Sequence, residues 1–202
     1  MTTPIQNPRV ADHPIAEQFL SRWSPRAFDD TAITRDELLS LLEAARWAPS
    51  GGNVQPWRFI YALRDDEAWP QLLGSLVPAN QVWVKNAAAL VAIASAAEYT
   101  WPGQAEPKPN ASHAFDAGAA WGYLALQATL SGWSAHAMGG FDKDALAKAV
   151  GLPDKHALHA VVAIGKRGDP AALPENLRAR ESPNARRPLA ENVHHGAFPA
   201  AK

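Results

Sequence analysis

The chain has 202 residues, no cysteine, and 19 basic against 20 acidic side chains, for a formal charge of −1. That balance offers no net field for nucleic acid or an anionic membrane, and the lack of cysteine excludes disulfides and thiolate chemistry while suiting a reducing cytoplasm. A hydrophobic fraction of 47% supports a sizeable core, yet no uninterrupted apolar run approaches the ~20 residues of a membrane span.

Residues 1–13 are predicted to form a loose arm. Met1 to Gln6 lacks the basic-then-apolar pattern of a secretion signal, so a cytoplasmic location is expected and the sequon Asn110-Ala111-Ser112 is discounted. Pro14 to Leu20 reads as a short helix with proline in its first turn. In the following Ser21–Phe28 segment, Pro25 pushes Ser24 into extended geometry. Alternate residues of an extended chain share a face, which groups Arg22, Ser24 and Arg26. Two guanidinium groups and a hydroxyl suit a phosphate, although two solvated arginines are the plainer reading of this motif alone.

Thr34-Arg35-Asp36-Glu37 is a capping box, and Leu38, Leu41, Leu42 and Ala45 follow at helical spacing. Pro49 ends that helix and opens the loop Pro49–Trp57, which carries two glycines, Ser50, Asn53 and Gln55, and no charge. Glycines let the backbone approach a ligand closely, and each primary amide pairs a donor with an acceptor, as a flat heterocycle of carbonyl and N–H groups requires. Alone, the loop also reads as a polar surface turn. Trp57 to Leu63 has the aromatic and β-branched content of a strand.

Beyond it, Asp65 to Leu73 is predicted as a surface helix. Val77–Gln81 reads as a break, and Val82–Asn86 as the lead into a central strand over Ala88–Ser95 that is apolar on both faces. Trp101 to Asn110, with three prolines and a glycine, is a loop and a candidate lid. Phe115 to Leu130 is the longest predicted helix. Its stripe Phe115, Ala119, Gly122, Leu126 and Leu130 lies beside the small residues Gly118, Ala120, Ala125 and Ala128. A helix apolar nearly all round is buried on more than one side, here inside the domain and against a partner chain.

Trp133–Met138 and Leu158–Gly165 are further strands. Gly139-Gly140 is a turn, and Asp142 caps a helix carrying Leu146 and Val150 that Gly151-Leu152-Pro153 stops. The tail from Arg167, rich in proline, asparagine and arginine, reads as an ordered arm that wraps a neighbour through Pro188–Val193 and Phe198. Of the eight tryptophans, Trp47, Trp57, Trp83, Trp121 and Trp133 lie in apolar segments and are expected in core or interface.

His156 with His159, and His194 with His195, lack partners at zinc spacing, so no metal is expected. No G-x-S-x-G, P-loop or G-x-G-x-x-G is present, nor a recognisable nucleophile–base pair. An enzyme of this sequence would take its hard chemistry from a cofactor.

Three stretches, Arg22–Phe28, Ala48–Trp57 and Met138–Asp142, together with the closing segment Arg186–His194, resemble the FMN-dependent nitroreductase family in their order along the chain. The resemblance implies one domain over residues 1–202, an α+β fold: a nitroreductase-like α/β/α sandwich around a mixed, mainly antiparallel sheet. The arm from 167 to 202 would be domain-swapped in a homodimer with FMN at the interface. By residue matching, Arg22, Trp23, Ser24 and Arg26 meet the phosphate side of the cofactor, and Arg187 (or Arg186) closes it. Pro49, Ser50, Gly51, Asn53 and Gln55 would come from the second subunit. Asn80 matches a position bonded to the pyrimidine edge of the ring, and Met138, Gly139 and Gly140 match the segment whose main chain faces flavin N5.

Trp83 stands where some family members carry a lysine, with Lys85 two residues on, and Gly139 where some carry an acid. Losing that positive charge would stabilise a reduced, anionic flavin less. The implied activity is reduction of nitroaromatics, quinones or similar flat electrophiles by NADH or NADPH, with ping-pong hydride transfer through flavin N5. Alternatives are a specialised flavoprotein of the same fold, such as a reductive dehalogenase or flavin-consuming enzyme, and a flavin-binding module without turnover.

Overall fold

The computed structural model describes residues 7–199; residues 1–6 and 200–202, the outer ends of the two predicted arms, lie outside them. A short helix α1 (Glu17–Ser21) precedes the extended segment around Pro25. The capping box then forms as its spacing dictates. The Thr34 hydroxyl accepts from the Glu37 N–H at 3.2 Å, and the Glu37 carboxylate accepts from the Thr34 N–H at 2.8 Å, opening α2 (Arg35–Arg46). Strand β1 (Trp57–Leu63) begins directly after Pro56.

Two helices follow, α3 (Trp69–Ser75) and α4 (Pro78–Val84). Helix α4 corrects the predicted break. Pro78 occupies a first-turn position, where a missing N–H costs nothing, and Val77 is the extended cap before it. Next come β2 (Ala89–Ala96) and a minimal hairpin of β3 (Glu98–Tyr99) with β4 (Lys108–Pro109) that closes the 100–107 loop. The chain continues through α5 (His113–Leu130), β5 (Ser134–Met138), α6 (Lys143–Ala149), β6 (His156–Gly165) and α7 (Glu175–Arg178). Asp142 caps α6 by accepting from the Ala145 N–H at 2.9 Å.

The main sheet runs β1-β2-β6-β5, each of these pairings antiparallel, with a bulge between Ile93 and Ala94. Its central strand β2 is buried along nearly its whole length because helices cover both faces. On one side Leu72, Trp83, Val84 and Leu146 pack on Leu90 and Val161. On the other, Leu38, Leu41 and Leu124 from α2 and α5 pack on Val91, Ile93 and Ile164. These layers make an α/β/α sandwich.

Helix α5 buries Ala117, Ala120, Leu124 and Ala128 against the sheet. Its opposite face stays uncovered within the chain, with Phe115 82% and Leu130 64% exposed and Tyr123 between them. Trp57, Trp83 and Trp133 are buried as expected. Trp47 is not core in the chain: it is exposed at the end of α2, where its indole N–H donates to Glu43 and Arg46 lies over its ring. Among the described residues no helix is long and apolar enough to cross a membrane.

Candidate functional site

The segment around Pro25 is fastened to the end of β6. Phe28 bridges to Arg167, the Gly168 N–H donates to the Ala27 carbonyl at 2.8 Å, and a Cβ at Gly165 would sit 2.7 Å from the Phe28 ring. With Ala27 and Phe28 buried, the arginines on either side of Pro25 face outward into a cleft of about 230 Å³. Arg9, Arg22, Arg26, Arg180 and Arg186 line it, with the hydroxyls of Ser24 and Ser182 between them. Arg22 reaches Ser24 Oγ at 3.4 Å.

The guanidinium groups crowd one another. Burial and then Arg186 push the Arg22 pKa down; burial, Arg186 and Arg22 do the same for Arg9. For Arg26, burial and Arg180 lower it while Glu181 works the other way. Arginine stays charged regardless, so the crowding is a standing field for an anion.

Glu181 is the carboxylate in this cluster, and it is buried. Its Oε1 accepts from the N–H groups of Arg26 and Ala27 at 2.7 and 2.8 Å, which holds the arginine segment in shape. Its Oε2 lies 3.8 Å from Arg26 Nη1, an ion pair too long to be a hydrogen bond. Of the two tail arginines, Arg186 lines the cluster, whereas Arg187 lines a neighbouring groove with Val10, Ile15 and Leu189.

A second cleft of about 510 Å³ shares Arg22, Ser24 and His136 with the first and continues over Trp121, Gly122, Ala125 and Leu126 of α5. The joined clefts thus have a cationic end and an apolar floor. His136 stands at the junction. Its Nδ1 lies 2.9 Å from the Pro25 carbonyl, and its ring packs on the buried Trp83 at 4.7 Å between centroids. Trp83 therefore sits behind His136.

Past His136 the strand delivers Met138 and the two glycines. The Met138 side chain is buried in the core, so only its main chain can meet a ligand. Asn80 donates through Nδ2 to the Gly140 carbonyl at 3.2 Å. A Cβ at Gly140 would crowd Asn80 and Val77 at 3.0 and 3.1 Å, while one at Gly139 would meet nothing within 4 Å. Among the described residues neither glycine N–H has an acceptor.

The Pro49–Gln55 loop lies elsewhere, and none of its residues lines either cleft. Gly51–Asn53 is a single 3₁₀ turn with Gly52 and Asn53 at φ 56° and 54°; Gln55 is also left-handed at 53°. Ser50 Oγ accepts from the Gln55 N–H at 3.0 Å. The buried carboxylate of Asp116 on α5 accepts from the Gly51 N–H at 3.3 Å and from the Ser112 hydroxyl at 2.9 Å. Trp101 closes over the turn, its ring 2.7 Å from where a Cβ at Gly52 would be. So the 101–110 loop packs on the Ser50–Asn53 turn.

The structure thus brings Arg22, Trp23, Ser24, Arg26 and Arg186 together, places Asn80 beside Gly140, and leaves the 49–55 loop as a separate surface. His136, Glu181 and Asp116 were missed in the sequence reading. No local pattern marks them, because their partners lie 111, 155 and 65 residues away. His159 and His113 instead share the Ser95 hydroxyl, at 2.6 and 2.7 Å. Among the described residues no group of three or more histidines and carboxylates is placed to hold a metal ion.

Comparison with known proteins gives one consistent answer. The model of the nitroreductase family matches residues 20–166. A crystal structure of an oxidoreductase containing FMN superposes with a TM-score of 0.93 at 44% identity, covering 98% of this chain and 100% of that one. A structure from Exiguobacterium sibiricum, in complex with FMN, gives 0.72 at 26% identity over 94% of this chain and 99% of that one. Protein DrgA of Synechocystis is 31% identical over 181 residues, 74% of this chain and 82% of DrgA.

Proposed function

Because this chain belongs to the nitroreductase family, we propose that it is an FMN-dependent oxidoreductase in which NADH or NADPH reduces nitroaromatics, quinones or similar flat electrophiles. The observation that carries this reading is the joined cleft, with guanidinium groups at one end and an apolar floor at the other. Bound FMN would supply the redox chemistry, accepting hydride at N5 from the nicotinamide and returning it to the acceptor.

The residues present fit that cofactor. Arg22, Ser24, Arg26 and Arg186 supply charge-assisted donors for a phosphate, and Glu181 sets the backbone that carries Arg26. Asn80, fixed by its bond to Gly140, keeps its amide oxygen to accept from an imide N–H. Gly139 borders open space, where a ring atom can approach without meeting a side chain, whereas Gly140 is backed by Asn80 and Val77; the N–H groups of both lack an acceptor among the described residues.

All 202 residues serve one domain of a cytoplasmic homodimer; residues 167–186 pack on their own chain, through Gly168 on Ala27, Leu173 in the core and Glu181 on Arg26, so the part of the arm that crosses to the partner is its end, from Leu189. Support comes from the uncovered apolar face of α5 and from Leu189, Val193 and Phe198, which the arm exposes. The Ser50–Gln55 turn, held away from its own chain's cleft by Asp116 and Trp101, would complete the partner's site. A single shared position above the cofactor then gives ping-pong kinetics. Initial rates with NADH and a quinone test this: parallel double-reciprocal lines are expected, and intersecting lines overturn the shared position.

A further inference from the structure

Within that reading, we propose that His136 belongs to the cofactor-phosphate site and takes up a proton from solvent when the phosphate of FMN enters the arginine cluster. The geometry carries the proposal. Of the side chains shared by the arginine cleft and the apolar-floored cleft, Arg22, Ser24 and His136, only His136 can change its charge near neutral pH, and a ligand that spans both clefts must pass it. In the neutral ring, Nδ1–H donates to the Pro25 carbonyl at 2.9 Å, which leaves Nε2 as a lone-pair acceptor. The Trp83 ring fixes its plane from behind.

Every other ionisable group of the cluster is a permanent cation except Glu181. Arg22 and Arg26 approach from the segment around Pro25, Arg9 from the N-terminal segment, and Arg186 from the tail. Arg180 and Glu181 follow α7. The facing residues of α5, Trp121, Gly122 and Ala125, carry no charge. A second proton on the imidazole is therefore opposed by the surrounding arginines until an anion arrives.

The balance is close. Burial pushes the His136 pKa below its ordinary value. The Pro25 carbonyl pulls it back up, Arg26 pushes it down, the Ser24 carbonyl pulls it up, and Arg22 pushes it down. A phosphate dianion on Arg22 and Arg26 cancels the repulsive part and leaves the two carbonyls and the anion itself favouring the imidazolium. The added proton sits on Nε2. Because FMN binding raises the pKa, binding takes up protons, and affinity strengthens as pH falls through the bound-state pKa toward that of the free chain. Below about pH 6 the phosphate itself gains a proton, which acts in the opposite direction, so the effect belongs above that value.

The test uses the intact protein freed of flavin. FMN and riboflavin are titrated by flavin fluorescence between pH 6.5 and 8, for the wild type and His136→Asn, which keeps a donor for Pro25 but cannot titrate. In parallel, the histidine ring signals of the wild type are followed by NMR with and without FMN, His136→Asn giving the assignment. The expected result is a rise of about one unit in the His136 pKa with FMN and none with riboflavin. Because burial keeps the free-state value below the ordinary one, that rise corresponds to FMN binding at most a few-fold tighter at pH 6.5 than at pH 8, absent in the variant. Identical pH dependence in wild type and His136→Asn, or an equal shift with riboflavin, overturns the proposal. If the variant does not fold, calorimetry of FMN binding to the wild type at pH 7 in two buffers of different ionisation enthalpy decides. Net proton uptake supports the proposal, and none overturns it. Failure to bind FMN at any pH would instead remove the functional reading on which it rests.

Discussion

Arg22 and Arg186 line the same cleft from opposite ends of the chain, and among the described residues neither has a carboxylate partner. Arg22→Ala or Arg186→Ala should each weaken FMN binding by roughly 1.5–3 kcal/mol, about ten- to a hundredfold in Kd. Arg187→Ala, on the neighbouring groove, should do far less. Flavin fluorescence titration checks the ranking, and a loss for Arg187→Ala equal to that for Arg186→Ala would show that the tail rearranges when the cofactor binds. Gly52 makes a different argument. At φ 56°, with the Trp101 ring 2.7 Å from any added Cβ, Gly52→Ala meets both backbone strain and a clash. A loss of about 1–2 kcal/mol is expected from the backbone alone. Because Trp101→Ala relieves only the clash, the double variant should recover part of the stability lost in urea denaturation, not all of it.

At the scale of elements, what the sequence made legible was local. The Thr34–Glu37 box marked the start of α2, and β1 runs from Trp57 to Leu63 as its residues predict. Helix α4 was hidden because Pro78 reads as a stop when it is in fact a first-turn residue. The grouping of Arg22, Ser24 and Arg26 followed from Pro25 alone, whereas Glu181 and His136 reach that segment only through the tertiary fold. The box also yields a stability prediction: Thr34→Ala should cost about 1 kcal/mol. Its pH dependence has a definite sign. The Thr34 N–H, then the Thr34 hydroxyl, hold the Glu37 carboxyl below its ordinary value. That contribution is present above the unfolded pKa, about 4.3, and is lost as pH falls through the depressed folded value. Between pH 5 and 3 the wild-type Tm should therefore fall more than that of Glu37→Gln; parallel falls would mean the cap is not charged in solution.

For the whole molecule the decisive surface is the uncovered face of α5. Phe115, Tyr123 and Leu130 are exposed along one stripe, the kind of apolar face that a partner covers, and Gly118 and Gly122 between them permit close approach of a second helix. Phe115→Arg, at the exposed start of that stripe, should yield a monomer by sedimentation and lose FMN with it, since in the proposed dimer the Ser50–Gln55 turn serves the partner's site. A monomeric variant that keeps FMN would show that one chain suffices. The measurement that tests the central claim most directly is an anaerobic titration of the purified protein with NADH or NADPH, followed by visible absorbance. A yellow protein should bleach with one equivalent of reductant and no acceptor present, and regain its colour on addition of a quinone or nitroaromatic. A protein that binds no flavin, or whose flavin no nicotinamide bleaches, would contradict the account.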